Sequence, residues 1–233
     1  MTQTTPADYF QTPVIELGVD RRAAFITRTY VHLFAAILAF AGIEIYLFSS
    51  GLAERLAATM LGVSWLWSLG GFMVVGWLAS RAAHTAKSLG AQYAALAGYV
   101  IANAIIFVPL LYIAQVAAPG AIQSAAVATL VGFGGLTLVA FVTRKDFSFL
   151  GALLKWGFVV ALILIVAGVL FGFELGTFFS VAMIALAGGA VLYDTSNVLH
   201  HFPEDRHVGA ALELFASIAL MFWYVLRLFI SRD

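Results

Sequence analysis

Long apolar runs separated by short polar breaks dominate the chain. Seven stretches approach or exceed the roughly 20 residues that a membrane-spanning helix needs. They are residues 29–49, 56–79, 92–116, 122–142, 150–171, 177–199 and 209–230. Period-two alternation is absent and the runs are far longer than barrel strands, which excludes a transmembrane β-barrel. The second stretch follows Glu54 and Arg55, an amphipathic start that suits the membrane interface. Breakers mark the connections: Pro119-Gly120, Gly172 and Gly176 around Glu174, and Pro203. No loop is long enough for a soluble domain. The pattern predicts an all-α membrane protein with seven transmembrane helices over residues 28–233, preceded by a polar cytosolic tail over residues 1–27.

Composition sharpens this picture. Of 233 residues, 63% are hydrophobic and only 10% are charged, with mean hydropathy +1.00. Soluble domains carry about a quarter charged residues, so this chain has too little polar surface to cover itself in water. Its formal net charge is +0, which gives no sign of a nucleic-acid partner. It has no cysteine, so disulfides, thiolate metal sites and cysteine nucleophiles are excluded. Asp8, Glu16 and Asp20 sit where a signal peptide would be basic and then apolar, so the first long apolar run reads as a retained signal-anchor.

Lys and Arg collect at alternate ends of the runs. Arg21, Arg22, Arg28, Arg81, Lys87, Arg144, Lys145 and Arg206 fall on one side, against Arg55 and Arg232 on the other. The positive-inside rule then places the N-terminus in the cytoplasm and, with seven spans, the C-terminus outside. Gly132, Gly134, Gly135, Gly188 and Gly189 predict close helix packing.

Ionisable groups inside a membrane are costly and are candidate functional sites by default. Asp194 lies inside the sixth run, about 8 Å from its cytoplasmic end at about 1.5 Å per residue. It reads either as a static polar link between two helices or as an ion- or proton-handling group. Glu213 lies about one turn inside the seventh run, and Ser217 follows one turn deeper on the same face. The three can line one polar pocket, which Arg81 at the end of the second run is able to reach. Glu213 and Arg227 also read as side chains snorkelling to the two surfaces. Glu44, toward the outer end of the first run, is a candidate partner for Arg227. The stretch His200-His201-Phe202-Pro203-Glu204-Asp205-Arg206-His207 offers histidines beside carboxylates, but in no defined metal-ligand spacing. Within the seven apolar runs no Ser-His or metal-ligand pair recurs at helical spacing, so an enzyme is not expected. No lysine follows Lys155, which leaves no Schiff-base residue for a retinal protein.

Arg28-Thr29-Tyr30, the segment Thr143-Arg144-Lys145-Asp146-Phe147-Ser148-Phe149-Leu150, Leu192-Tyr193-Asp194-Thr195 and residues 212–228 with Arg227 resemble the Bax inhibitor-1 (TMBIM) family. The likeness is closest to its bacterial YccA-like branch and runs from Arg21 to Asp233. It implies seven helices, with the C-terminal helix surrounded by the other six, in the bacterial inner membrane. It also implies a pH-dependent calcium leak, with Ca2+ as permeant ion and no bound cofactor. In the family, two aspartates, on the sixth and seventh helices, share a proton, and an arginine of the second helix holds the closed state. Asp194 falls on the first aspartate and Arg81 near the arginine. The second aspartate falls on Ser217, so the dyad is absent as such, and Glu213 is the nearest replacement. The same branch implies a link to the membrane AAA protease FtsH, for which the tail would be the handle. Deleting residues 1–27 would then separate a protease modulator from an ion pathway.

Overall fold

The computed structural model describes residues 12–62, 65–85 and 88–231. Lys87 and Arg232 of the charge count lie outside them, as do residues 1–11 of the tail. Among the described residues, eight α-helices follow one another: α1 Val19–Ser49, α2 Leu52–Leu61, α3 Trp65–Thr85, α4 Leu89–Ala117, α5 Ala121–Thr143, α6 Leu150–Phe171, α7 Thr177–His200 and α8 His207–Ile230. Among the described residues, six are long and apolar enough to cross a membrane: α1, α4, α5, α6, α7 and α8.

The structure differs from the expected second span, 56–79, which is divided into α2 and α3. Gly51 takes a left-handed conformation at φ 76°, which closes α1 and reverses the chain into α2. At 10 residues, α2 is about 15 Å long and too short to cross. It buries Ala53 and Ala57 against Val108 of α4, with Leu47, Phe48, Leu56 and Tyr112 around them. The amphipathic start at Glu54 and Arg55 is thus a helix of its own. α3 is 21 residues long but is interrupted by Trp, Gly, Ser80 and Arg81.

α1 starts at Val19 rather than near residue 29, because Arg21, Arg22, Ala23, Ala24 and Arg28 are good helix formers although the run is not apolar. At 31 residues it is about 46 Å long and exceeds the roughly 30 Å hydrocarbon core. Ahead of it, Val14 is fully buried and donates its N–H to the Phe202 carbonyl at 3.0 Å. Pro13 bridges Pro203, and Arg21 forms a two-pronged ion pair with Glu204. Residues 12–27 are therefore a docked strap and the opening of α1, not a loose tail.

α8 is the hub. It packs against α7 most extensively and also against α1, α3, α4 and α5. α6 lies outside, against α7, with Ala161 joining a small cluster with Met183 and Tyr224. Leu212, Leu214, Phe215 and Leu226 of α8 are almost wholly buried. Phe107 of α4 stacks on Phe222 at 5.6 Å and meets Trp223 edge-on at 4.9 Å, a geometry that adds to the burial of their area. The outer surface is apolar in turn. Phe178 is 93% exposed and Trp156 is 74% exposed, which lipid tolerates and water does not.

The glycines divide by environment. A Cβ on Gly188 would meet Leu136 of α5 at 3.3 Å, and one on Gly189 would meet Leu154 of α6 at 3.3 Å. Gly132 is near Met221, whereas Gly134 and Gly135 face open space. The tightest approaches are at Gly157 and Gly151 of α6, where a Cβ would stand 2.5 Å from Leu186 and 2.9 Å from Tyr193 of α7.

Candidate functional site

α7 carries apolar residues through its middle and turns polar toward its C-terminal end, where Asp194, Thr195, Ser196 and His200 are all buried. α8 runs antiparallel beside it, which sets Ser217 opposite Asp194. The Ser217 hydroxyl donates to Asp194 Oδ2, and the two residues are 5% and 8% exposed.

One turn along α8 toward its N-terminus, Glu213 accepts a hydrogen bond from the Ser80 hydroxyl of α3 at 2.9 Å. It stands four residues before Ser217, on the same face of α8. α3, α7 and α8 thus each bring a polar group here: Ser217 bonds Asp194, and Ser80 bonds Glu213. Ser80 carries half of this arrangement and is not apparent from sequence, since a lone serine in an apolar helix has no periodic signal.

Arg81 stands elsewhere. Its guanidinium lies over the Trp77 ring, 5.5 Å from the centroid, and its side chain is exposed. Among the described residues, Asp194 is hydrogen-bonded by Ser217 and not by Arg81. The reason is geometric: one residue along α3 turns the side chain by about 100°, so Ser80 faces α8 and Arg81 faces outward. The Glu44–Arg227 pair is not formed either. Arg227 donates to the Leu175 carbonyl at 2.9 Å, which ties the C-terminal end of α8 to the α6–α7 loop. Glu44 is 7% exposed, and neither of its carboxylate oxygens has a hydrogen-bond partner.

The end of the bundle nearest Asp194 is closed by polar links. Gln92 of α4, almost fully buried, donates to the Asp205 carbonyl at 3.0 Å and accepts from the Gly209 N–H at 3.2 Å. It thereby satisfies one of the N–H groups that a helix start leaves free. His32 of α1 bonds Tyr93 of α4 at 2.6 Å, and its ring lies 5.1 Å from that of His207. The α5–α6 loop docks on α7 through its own acid. Asp146 accepts from the Ser148 N–H at 2.8 Å and pairs with His201 at 2.9 Å, while Ser196 accepts from the Phe147 N–H at 2.9 Å. Those hydrogen bonds, the Ser148 backbone N–H foremost, hold the Asp146 carboxyl below the usual carboxylate range. The Lys-Asp-x-Ser-Phe-Leu signature is therefore a loop lock beside the site rather than part of it.

Residues 22–233 match the family model described as "Inhibitor of apoptosis-promoting Bax1". "Modulator of FtsH protease YccA" of Escherichia coli (strain K12) is 36% identical over 113 residues, covering 44% of this chain and 51% of that protein. "Inner membrane protein YccA" of Escherichia coli O6:H1 matches to the same extent. "Uncharacterized protein PA2604" of Pseudomonas aeruginosa is 32% identical over 111 residues, covering 46% of this chain and 49% of that protein. The matches span about half the length of these curated relatives.

Proposed function

The chain belongs to the Bax inhibitor-1 family, and from that premise we propose that it is an inner-membrane, pH-sensitive calcium leak pathway gated around Asp194. The observation that carries the reading is the buried Ser217–Asp194 hydrogen bond across the α7–α8 interface, with Glu213 one turn along α8 and bonded to Ser80. A serine can donate one hydrogen bond but cannot neutralise a carboxylate. When both acids are ionised, their repulsion is relieved by a cation taking the place of the serine protons, and carboxylate oxygens suit a hard cation such as calcium. In this reading Glu213 replaces the second aspartate of the family, one turn nearer the surface, and α3 supplies the seventh crossing. α8 is then the central helix, with α6 reaching it through Ala161. The basic end faces the cytoplasm by the positive-inside rule, so the N-terminus is cytoplasmic and the far end of α8 is outside. No catalytic step is part of the proposal.

The test is calcium flux into liposomes containing the purified protein, followed from mildly acid to mildly alkaline pH. Asp194→Asn removes a titrating group and should flatten the pH dependence. Glu213→Gln should do the same if it is the second carboxylate. A pH profile unchanged in both variants, from folded protein, would sink the reading.

A second reading follows from the relative named as a modulator of the FtsH protease. In it the chain transports nothing and acts on that protease through its N-terminal segment. Deleting residues 1–27 is too blunt a test, because it removes Val14, Arg21 and the start of α1 together. Deleting residues 1–11 leaves the docked strap in place. This reading expects lost modulation of substrate turnover by the protease, whereas the leak reading expects unaltered flux.

A further inference from the structure

A second polar site lies at the C-terminal end of α7, between α7 and the α5–α6 loop. Tyr193, Asn197 and His201 recur at i, i+4 and i+8 and form one stripe along α7. With Ser148 and Phe202 they line an open cavity of about 340 Å³. Tyr193 precedes Asp194 by one residue and Asn197 follows it by three, so the stripe runs along the flank of α7 next to Asp194. Neither the Tyr193 hydroxyl nor the Asn197 amide is hydrogen-bonded among the described residues, although both line this cavity. Such groups need water or a ligand as partner.

The surroundings are basic and lie at membrane-interface depth. Arg144 and Lys145 precede Ser148 in the same loop, and His201 borders the cavity. The only acid lining this loop, Asp146, is already engaged by His201 and by the Ser148 N–H. Lys155 is an exposed cation inside α6, one helical turn beyond Gly151. Helical side chains lean toward the N-terminus, and a lysine in lipid reaches back to the nearest polar surface. Its path runs past Gly151, where a Cβ would collide with the Tyr193 ring. Phe149 and Trp156, 70% and 74% exposed, flank the same stretch and give acyl chains an apolar surface.

We infer that this cavity is a binding site for the phosphodiester head group of an anionic phospholipid, held by Lys155, Asn197, Tyr193 and Ser148. The phosphate oxygens accept from the amide, the hydroxyls and the ammonium, while the chains lie along α6. A head group set there bridges α6 to α7 and the α5–α6 loop, the part of the bundle with the least packing of its own. The inference does not rest on the leak reading, because it uses no contact made by the side chains of Asp194, Ser217, Glu213 or Ser80.

The test is native mass spectrometry and thermal unfolding of the full chain in detergent, titrated with phosphatidylglycerol, phosphatidylcholine or glycerol 3-phosphate. Phosphatidylglycerol should bind and raise the unfolding temperature. Lys155→Gln and Asn197→Leu should each weaken binding by about tenfold, as loss of one good polar contact predicts, and Lys155→Arg should retain it. Equal binding of phosphatidylcholine would overturn the inference, because charge would not be read. So would equal binding of glycerol 3-phosphate, because the occupant would be a soluble phosphate. Undiminished phosphatidylglycerol binding in both weakening variants, shown to be folded by their helical circular dichroism, would place the lipid elsewhere.

Discussion

Ser217 decides how Asp194 is kept inside the bundle. Replacing it by alanine leaves a buried carboxylate without its donor, which should cost about 1–2 kcal/mol, read as a lower midpoint in detergent-induced unfolding. Ser217→Asp restores two facing acids, and the pH dependence of calcium flux should steepen, since two coupled carboxylates titrate as a pair. Asp146 makes a prediction of a different kind. Its carboxyl is held below the ordinary range in the folded loop, so its contribution is present above the unfolded-state value and is lost as pH falls through the lowered folded value. Hydrogen exchange at the amides of residues 144–149 should rise on acidification, and Asp146→Asn should remove that dependence. Asp194, Ser217 and Glu213 were legible in the sequence because helical spacing and depth alone place them together. Ser80 was not, because which residue of α3 faces α8 is settled by how the two helices pack.

At the scale of helices, the α6–α7 seam depends on absent side chains. Gly157→Val puts atoms into Leu186, which would stand 2.5 Å from the new Cβ, and should cost about 1–3 kcal/mol through overpacking. Gly134→Ala meets nothing within 4 Å and should be neutral or stabilising by up to about 1 kcal/mol from helix propensity. Unfolding midpoints of the two variants, measured side by side, check the contrast. The sequence singled out Gly134 together with Gly188 and Gly189, yet only the latter two meet a neighbour. Small residues permit close approach in lipid without saying which helix approaches. The α2–α3 break was hidden for a related reason: Gly62 is one of four glycines in a run that remains apolar on both sides, and hydropathy does not say which of them ends a helix.

For the molecule as a whole, length and hydropathy were enough to show a helical membrane bundle, because lipid forces every backbone group to bond within its own helix. They did not show which helix would occupy the centre, since α6 is as apolar as any and yet lies at the edge. That position is set by faces: α8 buries Leu212, Phe215 and Leu226 on different sides, while α6 leaves Trp156, Val159 and Ile163 to the lipid. Placing the hub last has a consequence for biogenesis. α8 leaves the ribosome after the seven helices before it, five of which it holds together. Until it inserts, Asp194 and Ser80 lack the α8 side chains that bond them in the folded protein. The nascent chain must therefore wait in the membrane half-assembled, with an acid open to lipid, and it is during that interval that insertion factors and membrane quality control have most to recognise.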